Sequence, residues 1–282
     1  MAGGVGTRRA QHCLCVYESS DADRGERAVV NHFSVGAEQY DRFMGRYSTP
    51  LAPRFADFAG IEAGQRVLDV GCGPGALTGE LTRRLPADAV CAVDPSAGFV
   101  AAVRDRYPGV RTERAAAEQL PFDGQLFDAA LAQLVVHFMA NPVQGLGEML
   151  RVTKAGGTVA ACVWDHAGGR GPLGTFWAAA RALDANVEDE SQLPGARQGH
   201  LGELLRAAGA RDIQETELSD DVEHPSFGEW WDPFLLGVGP AGTYVTSLDA
   251  AQKARLRELC RERLPQAPFV VSARAWAARG LA

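Results

Sequence analysis

The chain has 282 residues and a net charge of −7, with 28 Lys and Arg against 35 Asp and Glu. That length buries a full core without disulfide or metal support, and the acidic balance (pI about 5.4) argues against nucleic acid or an anionic membrane as a partner. No run approaches about 18 apolar residues, so no membrane-spanning helix is expected.

Glycine is in excess, 32 of 282, and unevenly placed. The six cysteines do not imply a disulfide framework in a chain of this size with no signal peptide. Cys72, Cys91 and Cys162 fall in or beside apolar runs and read as buried thiols. A cytoplasmic protein is the expectation. His12-Cys13-Leu14-Cys15 has no second ligand cluster nearby, so no metal is expected there.

Residues 1–32 show no regular period and read as a disordered tail preceding one domain, 33–282. A bolder hypothesis starts the native chain at Val29 or Val30, with purine-rich codons for Arg24-Gly25-Glu26-Arg27 as a ribosome-binding site. N-terminal sequencing decides it, and a mature end at Ala2 would sink it.

The regular pattern opens with a helical stretch, 36–60, carrying Tyr40, Phe43, Met44 and Tyr47 at helical spacing and punctuated by Pro50 and Pro53. Arg66–Val70 is a short strand, Gly71–Gly75 a turn, and Leu77, Leu81 and Leu85 a helical stripe stopped by Pro86. Ala89–Val93 is a second strand. Ser96 caps a helix that ends at Pro108-Gly109, and a short strand follows near 110–112. Phe127–Leu134 is a fourth strand. Asn141-Pro142 starts a helix that Gly156-Gly157 is expected to stop, and Thr158–Trp164 is a fifth strand. Apolar strands alternating with helices predict a doubly wound, mostly parallel α/β sheet.

Beyond Trp164 the pattern loosens. A flexible glycine connection at 168–174 leads to helices near 174–183 and 201–208. A strand at 213–218, an aromatic helix around Trp230 to Leu235, a charged helix at 248–264 and a strand at 269–276 complete the chain.

The chemistry concentrates at the first turn. Gly71, Gly73 and Gly75 follow a strand and open a helix, where backbone N–H groups are bare. Asp94 ends the second strand, placed to accept ribose hydroxyls. The spacing is G-x-G-x-G, and Asp69 precedes it. That carboxylate repels a pyrophosphate and welcomes an ammonium group. The pattern therefore points away from NAD and toward S-adenosylmethionine. The absence of a G-x-S-x-G elbow disfavours a hydrolase.

VLDVGCGPG (67–75), AVDPS (92–96), AAAEQLPF (115–122) and EMLRVTKAGGTVA (148–160) agree in order and spacing with class I S-adenosylmethionine-dependent methyltransferases, and the sequence resembles their type 11 small-molecule group. The resemblance covers about 33–282 and is loosest over the last 120 residues. It implies a Rossmann-like sheet of seven strands with an N-terminal helical cap. It also implies S-adenosylmethionine as cofactor and a small-molecule methyl acceptor.

Residue by residue, the resemblance assigns Asp69, Gly71 and Gly73 to the methionine part. It assigns Asp94, with Pro95 beside it, to the ribose, the Ala117 backbone and Glu118 to the adenine, and Gln133 to the methionine end. Ala116 stands where many members carry the Asp that bonds the adenine amino group. YDRFMGRYS (40–48) resembles the group's cap helix, with Tyr40 closing over the cofactor and Arg46 pairing with its carboxylate; Phe43 and Met44 read as core.

His137, just past strand four, is the preferred catalytic residue as a general base, ahead of Asp165-His166 past strand five. Trp164, Trp230, Trp231 and Phe234 read equally as walls of an aromatic acceptor pocket or as core. The other class in play is a fold-mate that senses S-adenosylmethionine or uses it without transferring a methyl group.

Overall fold

Residues 36–282 are described by the structure, a computed structural model. The expectations for the tail, the alternative start and His12-Cys13-Leu14-Cys15 lie outside these residues. The first elements are α1 (Ala37–Tyr40), a π-helical turn (Asp41–Gly45) and α2 (Arg46–Ala59). The prolines do not interrupt α2, which runs through both and ends at Gly60 in a left-handed cap.

Then follow β1 (Val67–Val70), α3 (Ala76–Arg84), β2 (Val90–Asp94), α4 (Ala97–Arg106), β3 (Arg111–Arg114) and β4 (Phe127–Gln133). The second half contains α5 (Pro142–Val152), β5 (Thr153–Trp164), α6 (Gly174–Leu183), α7 (His200–Ala208) and β6 (Arg211–His224). It closes with α8 (Phe227–Trp231), α9 (Gly239–Ser247), α10 (Ala250–Arg263) and β7 (Phe269–Leu281).

The seven strands form one sheet in the order β3-β2-β1-β4-β5-β7-β6. β1 to β5 pair in parallel, and β7 runs antiparallel between β5 and β6. Alternate side chains leave opposite faces of a strand, and the core divides accordingly. Val67, Leu131, Ala160 and Cys162 face one cluster with Leu51, Phe55 and Phe176, while Leu68, Ala130, Ala161 and Val163 face the other with Leu146 and Leu205. Both faces are thus covered, as the near-continuous apolar strands require.

The caps act as read. Ser96 accepts from the Phe99 amide at 3.5 Å and Asn141 from the Gln144 amide at 3.1 Å. Three expectations change. The helix before strand five ends at Val152, and Gly156-Gly157 lies inside β5 beside a register shift against β4. A side chain at Gly157 would stand 2.6 Å from the Asp128 carbonyl oxygen, so the glycine serves this close approach and not a helix stop. β6 and β7 are longer than their apolar cores suggest, because they pair with each other along most of their length. The 168–174 connection is a tied turn: Asp165 accepts from the Gly168 amide at 2.9 Å, and its carbonyl accepts from Arg170 and Gly171.

Cys72, Cys91, Cys162 and Cys260 are free and buried. No helix among the described residues is long and apolar enough to cross a membrane.

Candidate active site

β1 and β2 end side by side, with Val70 level with Val93. The chain leaves β1 through Gly71, whose φ of +70° lies in the left-handed region. A side chain there would come within 2.2 Å of Val135, so only glycine fits between β1 and the segment after β4. The Gly71 and Cys72 amides donate to the Val93 carbonyl at 2.8 and 2.9 Å, and the Gly73 amide donates to Asp94 at 2.9 Å. The Ser96 amide reaches the other Asp94 oxygen at 2.8 Å. These bonds fold the turn back over the end of β2. A methyl group added at Gly73 would meet nothing within 4 Å, so this side of the turn is open to a ligand.

Asp69 and Asp94 are both buried. Asp69 accepts from the Thr78 hydroxyl at 2.6 Å. Burial, with Asp94 as a further negative neighbour, pushes Asp69 up to about 7, and burial pushes Asp94 up to about 6. Neither carboxylate has a cationic partner among the described residues. Two buried acids without a counter-ion form a site suited to a cation.

Tyr40 packs edge-on against Phe99, with ring centroids 5.4 Å apart. Burial and the nearby Asp94 charge push its hydroxyl well above the usual tyrosine range. At the end of β4, Gln133 donates to the Ser48 carbonyl at 2.9 Å, while its buried Oε1 has no hydrogen-bond partner among the described residues. Leu134 follows with a φ of 61°, a strained conformation for a branched side chain. It turns the chain into a short 3-10 turn, Val136–Phe138, that carries His137.

The segment after β3 returns to the end of β2, where the Ala115 amide donates to the Asp94 carbonyl at 3.2 Å. Ala117 is buried against the face covered by α5, and Glu118 accepts from the Asn141 amide at 3.1 Å. Its carboxylate is therefore tied to the start of α5. Pro95 is exposed at the lip of β2.

Arg46 departs from expectation. Its guanidinium donates to the Glu229 carbonyl at 2.9 Å and to the Arg42 carbonyl at 3.1 Å, and lies 3.2 Å from the His224 ring. It joins the cap to the end of β6 and α8 instead of offering a free fork to a carboxylate.

A pocket lies between the cap and the ends of β4 and β5, lined by Tyr40, Leu134, His137, Trp164, His166 and Glu190. Phe43, Met44 and the start of α9 line it as well. His137 is buried, and desolvation, with His166 beside it, lowers its basicity well below the usual histidine range. Asp165 is excluded as a base by its bonds. It accepts from Gly168, from Arg170 at 2.6 Å and from the Trp276 indole at 3.0 Å. Of the four aromatic candidates only Trp164 reaches the pocket. Phe234 stacks on Phe176 at 4.5 Å, and Trp230 and Trp231 pack on Phe234 in the core. Glu190 was not legible in the sequence, since it lies in an acidic stretch with no motif.

Residues 68–161 match the methyltransferase domain family. A demethylmenaquinone methyltransferase of Paenarthrobacter aurescens is 30% identical over 69% of this chain and 83% of its own length. The chain belongs to the class I S-adenosylmethionine-dependent methyltransferases. A ubiquinone/menaquinone biosynthesis C-methyltransferase of Geobacter sulfurreducens is 39% identical over 48% of the chain, and the match spans 57% of that protein. Several other curated relatives are spanned over only 25% to 63% of their length. Among solved structures, an S-adenosylmethionine-dependent methyltransferase from Thermotoga maritima, described as a possible histamine N-methyltransferase, has a TM-score of 0.55. Its identity is 17%, covering 90% of this chain and 99% of that one. At that identity the likeness shows the fold.

The family's cofactor, S-adenosylmethionine, fits the residues present. Its ammonium and sulfonium suit a site with two carboxylates that have no counter-ion, the turn is open at Gly73, and Gln133 holds an unused acceptor.

Proposed function

We propose that this protein transfers a methyl group from S-adenosylmethionine to a small organic acceptor held in the pocket between the cap and the ends of β4 and β5. The observation that carries the reading is the pair of buried carboxylates without a counter-ion, Asp69 and Asp94, on the two strands that flank the glycine turn, together with the pocket under the cap.

The chain's own residues divide the work. Asp69 and the Gly71–Gly73 backbone hold the cationic methionine part, Asp94 and Pro95 the ribose, Ala117 and Glu118 the adenine, and Gln133 the methionine end. Tyr40 covers the site from the cap. S-adenosylmethionine, when bound, supplies a methyl group already attached to its leaving group, so positioning and dryness are what remain for the protein. Positioning alone contributes roughly 7–11 kcal/mol. His137 is the residue placed to meet the polar atom of the acceptor.

The test is methyl-labelled S-adenosylmethionine incubated with the protein and a panel of hydroxylated and aminated metabolites. Label appearing in a small product supports transfer. Label retained on bound cofactor, with every acceptor unmethylated, supports the reading in which the fold binds the cofactor for another purpose. No thermal shift with saturating S-adenosylhomocysteine overturns both.

A further inference from the structure

Three polar side chains from distant parts of the chain converge in the pocket. His137 sits on the turn after β4, His166 follows β5 by two residues, and Glu190 opens the 3-10 turn Glu190–Gln192. One ligating atom from each lies within 4.8 Å of the other two. His137 is 6% exposed and Glu190 3%, so solvent does not satisfy them.

The hydrogen bonding around this trio is incomplete in a specific way. His137 Nδ1 and His166 Nε2 are buried with no partner among the described residues. His166 Nε2 stands 3.9 Å from Glu190 Oε1, too far for a hydrogen bond. The other Glu190 oxygen accepts from the Trp177 indole at 2.9 Å. That bond fixes the carboxylate and leaves Oε1 turned to the two imidazoles. A fixed carboxylate facing two orphaned ring nitrogens lacks a positive centre.

We propose that His137, His166 and Glu190 bind a first-row divalent transition-metal ion of the Zn²⁺ type in the acceptor pocket. Imidazole nitrogens with one carboxylate suit such ions, whereas Mg²⁺ and Ca²⁺ prefer all-oxygen sets. Two ligands at about 2.1 Å from a tetrahedral ion lie about 3.4 Å apart, so a pair at the 4.8 Å limit closes by about 1.4 Å on binding. Trp177 then serves as the outer partner that orients a ligand, the usual arrangement around protein-bound ions. Three protein ligands leave a coordination position free on the pocket side. That position takes an oxygen of the acceptor, so the acceptor class is a hydroxyl- or carboxylate-bearing molecule. Only this last clause rests on the methyltransferase reading.

Sequence spacing conceals the site, because the three residues belong to three separate segments and follow no ligand motif.

The experiment strips the full chain with chelator and titrates it with Co²⁺, whose visible absorption reports coordination by nitrogen and oxygen ligands. Zn²⁺ is then added in competition, and equilibrium dialysis gives the stoichiometry. One ion per chain is expected, with Zn²⁺ displacing Co²⁺. Glu190→Gln and His166→Ala should each lose Co²⁺ binding, and Trp177→Phe should weaken it by about 10- to 100-fold. Wild-type protein that takes up neither ion overturns the proposal, as do Glu190→Gln and His166→Ala proteins that bind Co²⁺ as tightly as wild type. The wild-type titration decides even if a variant fails to fold. S-adenosylhomocysteine binding without Co²⁺ binding would remove the metal site alone, whereas Co²⁺ binding without S-adenosylhomocysteine binding would remove the methyltransferase reading alone.

Discussion

The Gly73 amide donates to the Asp94 carboxylate at 2.9 Å, which ties the glycine turn after β1 to the end of β2. Asp94 therefore shapes the turn. Asp94→Ala should weaken S-adenosylhomocysteine binding by at least about tenfold. It should also cost about 1–3 kcal/mol of stability, because buried amides lose their acceptor. Calorimetric titration and chemical denaturation measure the two effects separately.

Gly71→Ala and Gly73→Ala should separate fold from binding. The first drives a methyl group to 2.2 Å from Val135, and the second points one into open space. Gly71→Ala should lower the melting temperature sharply. Gly73→Ala should cost only about 1 kcal/mol for its positive φ while abolishing cofactor binding. Retained binding in Gly73→Ala would show that no ligand occupies that side of the turn.

Cofactor affinity should rise with pH. Asp69 lies at about 7 and Asp94 at about 6, both raised above the usual carboxylate range by burial. The stability that each raised group contributes is full below its unfolded value and is lost as pH rises through 6 to 7, when charge is forced into the interior. A ligand that carries an ammonium and a sulfonium group favours the charged forms. Cofactor affinity should therefore increase by about tenfold through Asp69 and by about twofold through Asp94 between pH 6 and pH 8. Asp69→Asn should flatten that slope.

His224 gives the opposite dependence. It is fully buried, its ring accepts or donates at 2.8 Å to the Tyr47 hydroxyl, and the Arg46 guanidinium lies 3.2 Å away. Burial first, and Arg46 second, lower it to about 4. Its neutral form is the folded form, so its contribution is present above pH 6.5 and lost as pH falls from there toward 4. The melting temperature of the wild type should drop over that interval, and His224→Phe should show a shallower drop. The same contact predicts that Arg46→Ala lowers stability while changing cofactor affinity by less than about threefold.

The first half of the molecule was legible because its signals are local. VLDVGCGPG, the Asp at the end of strand two and the Ser96 and Asn141 caps each state their structure within ten residues. Trp164 is one of four aromatics that read equally as pocket wall or core, and it alone of the four lines the pocket. What escaped depends on partners far along the chain. Arg46 is claimed by His224, Asp165 by Trp276, and Gly157 by the Asp128 carbonyl. Glu190 gains meaning only from Trp177 and His166, which no window of sequence contains.

β6 joins the sheet only through β7, which lies 45 residues further along the chain, counting from His224 to Phe269. During synthesis, β6 leaves the ribosome before the strand that anchors it exists. A waiting strand is a template for aggregation unless charges guard it. β6 carries Arg211, Asp212, Glu215, Glu217, Asp220, Asp221 and Glu223, so the segment that must wait longest for its neighbour is also the one best dressed to wait in water.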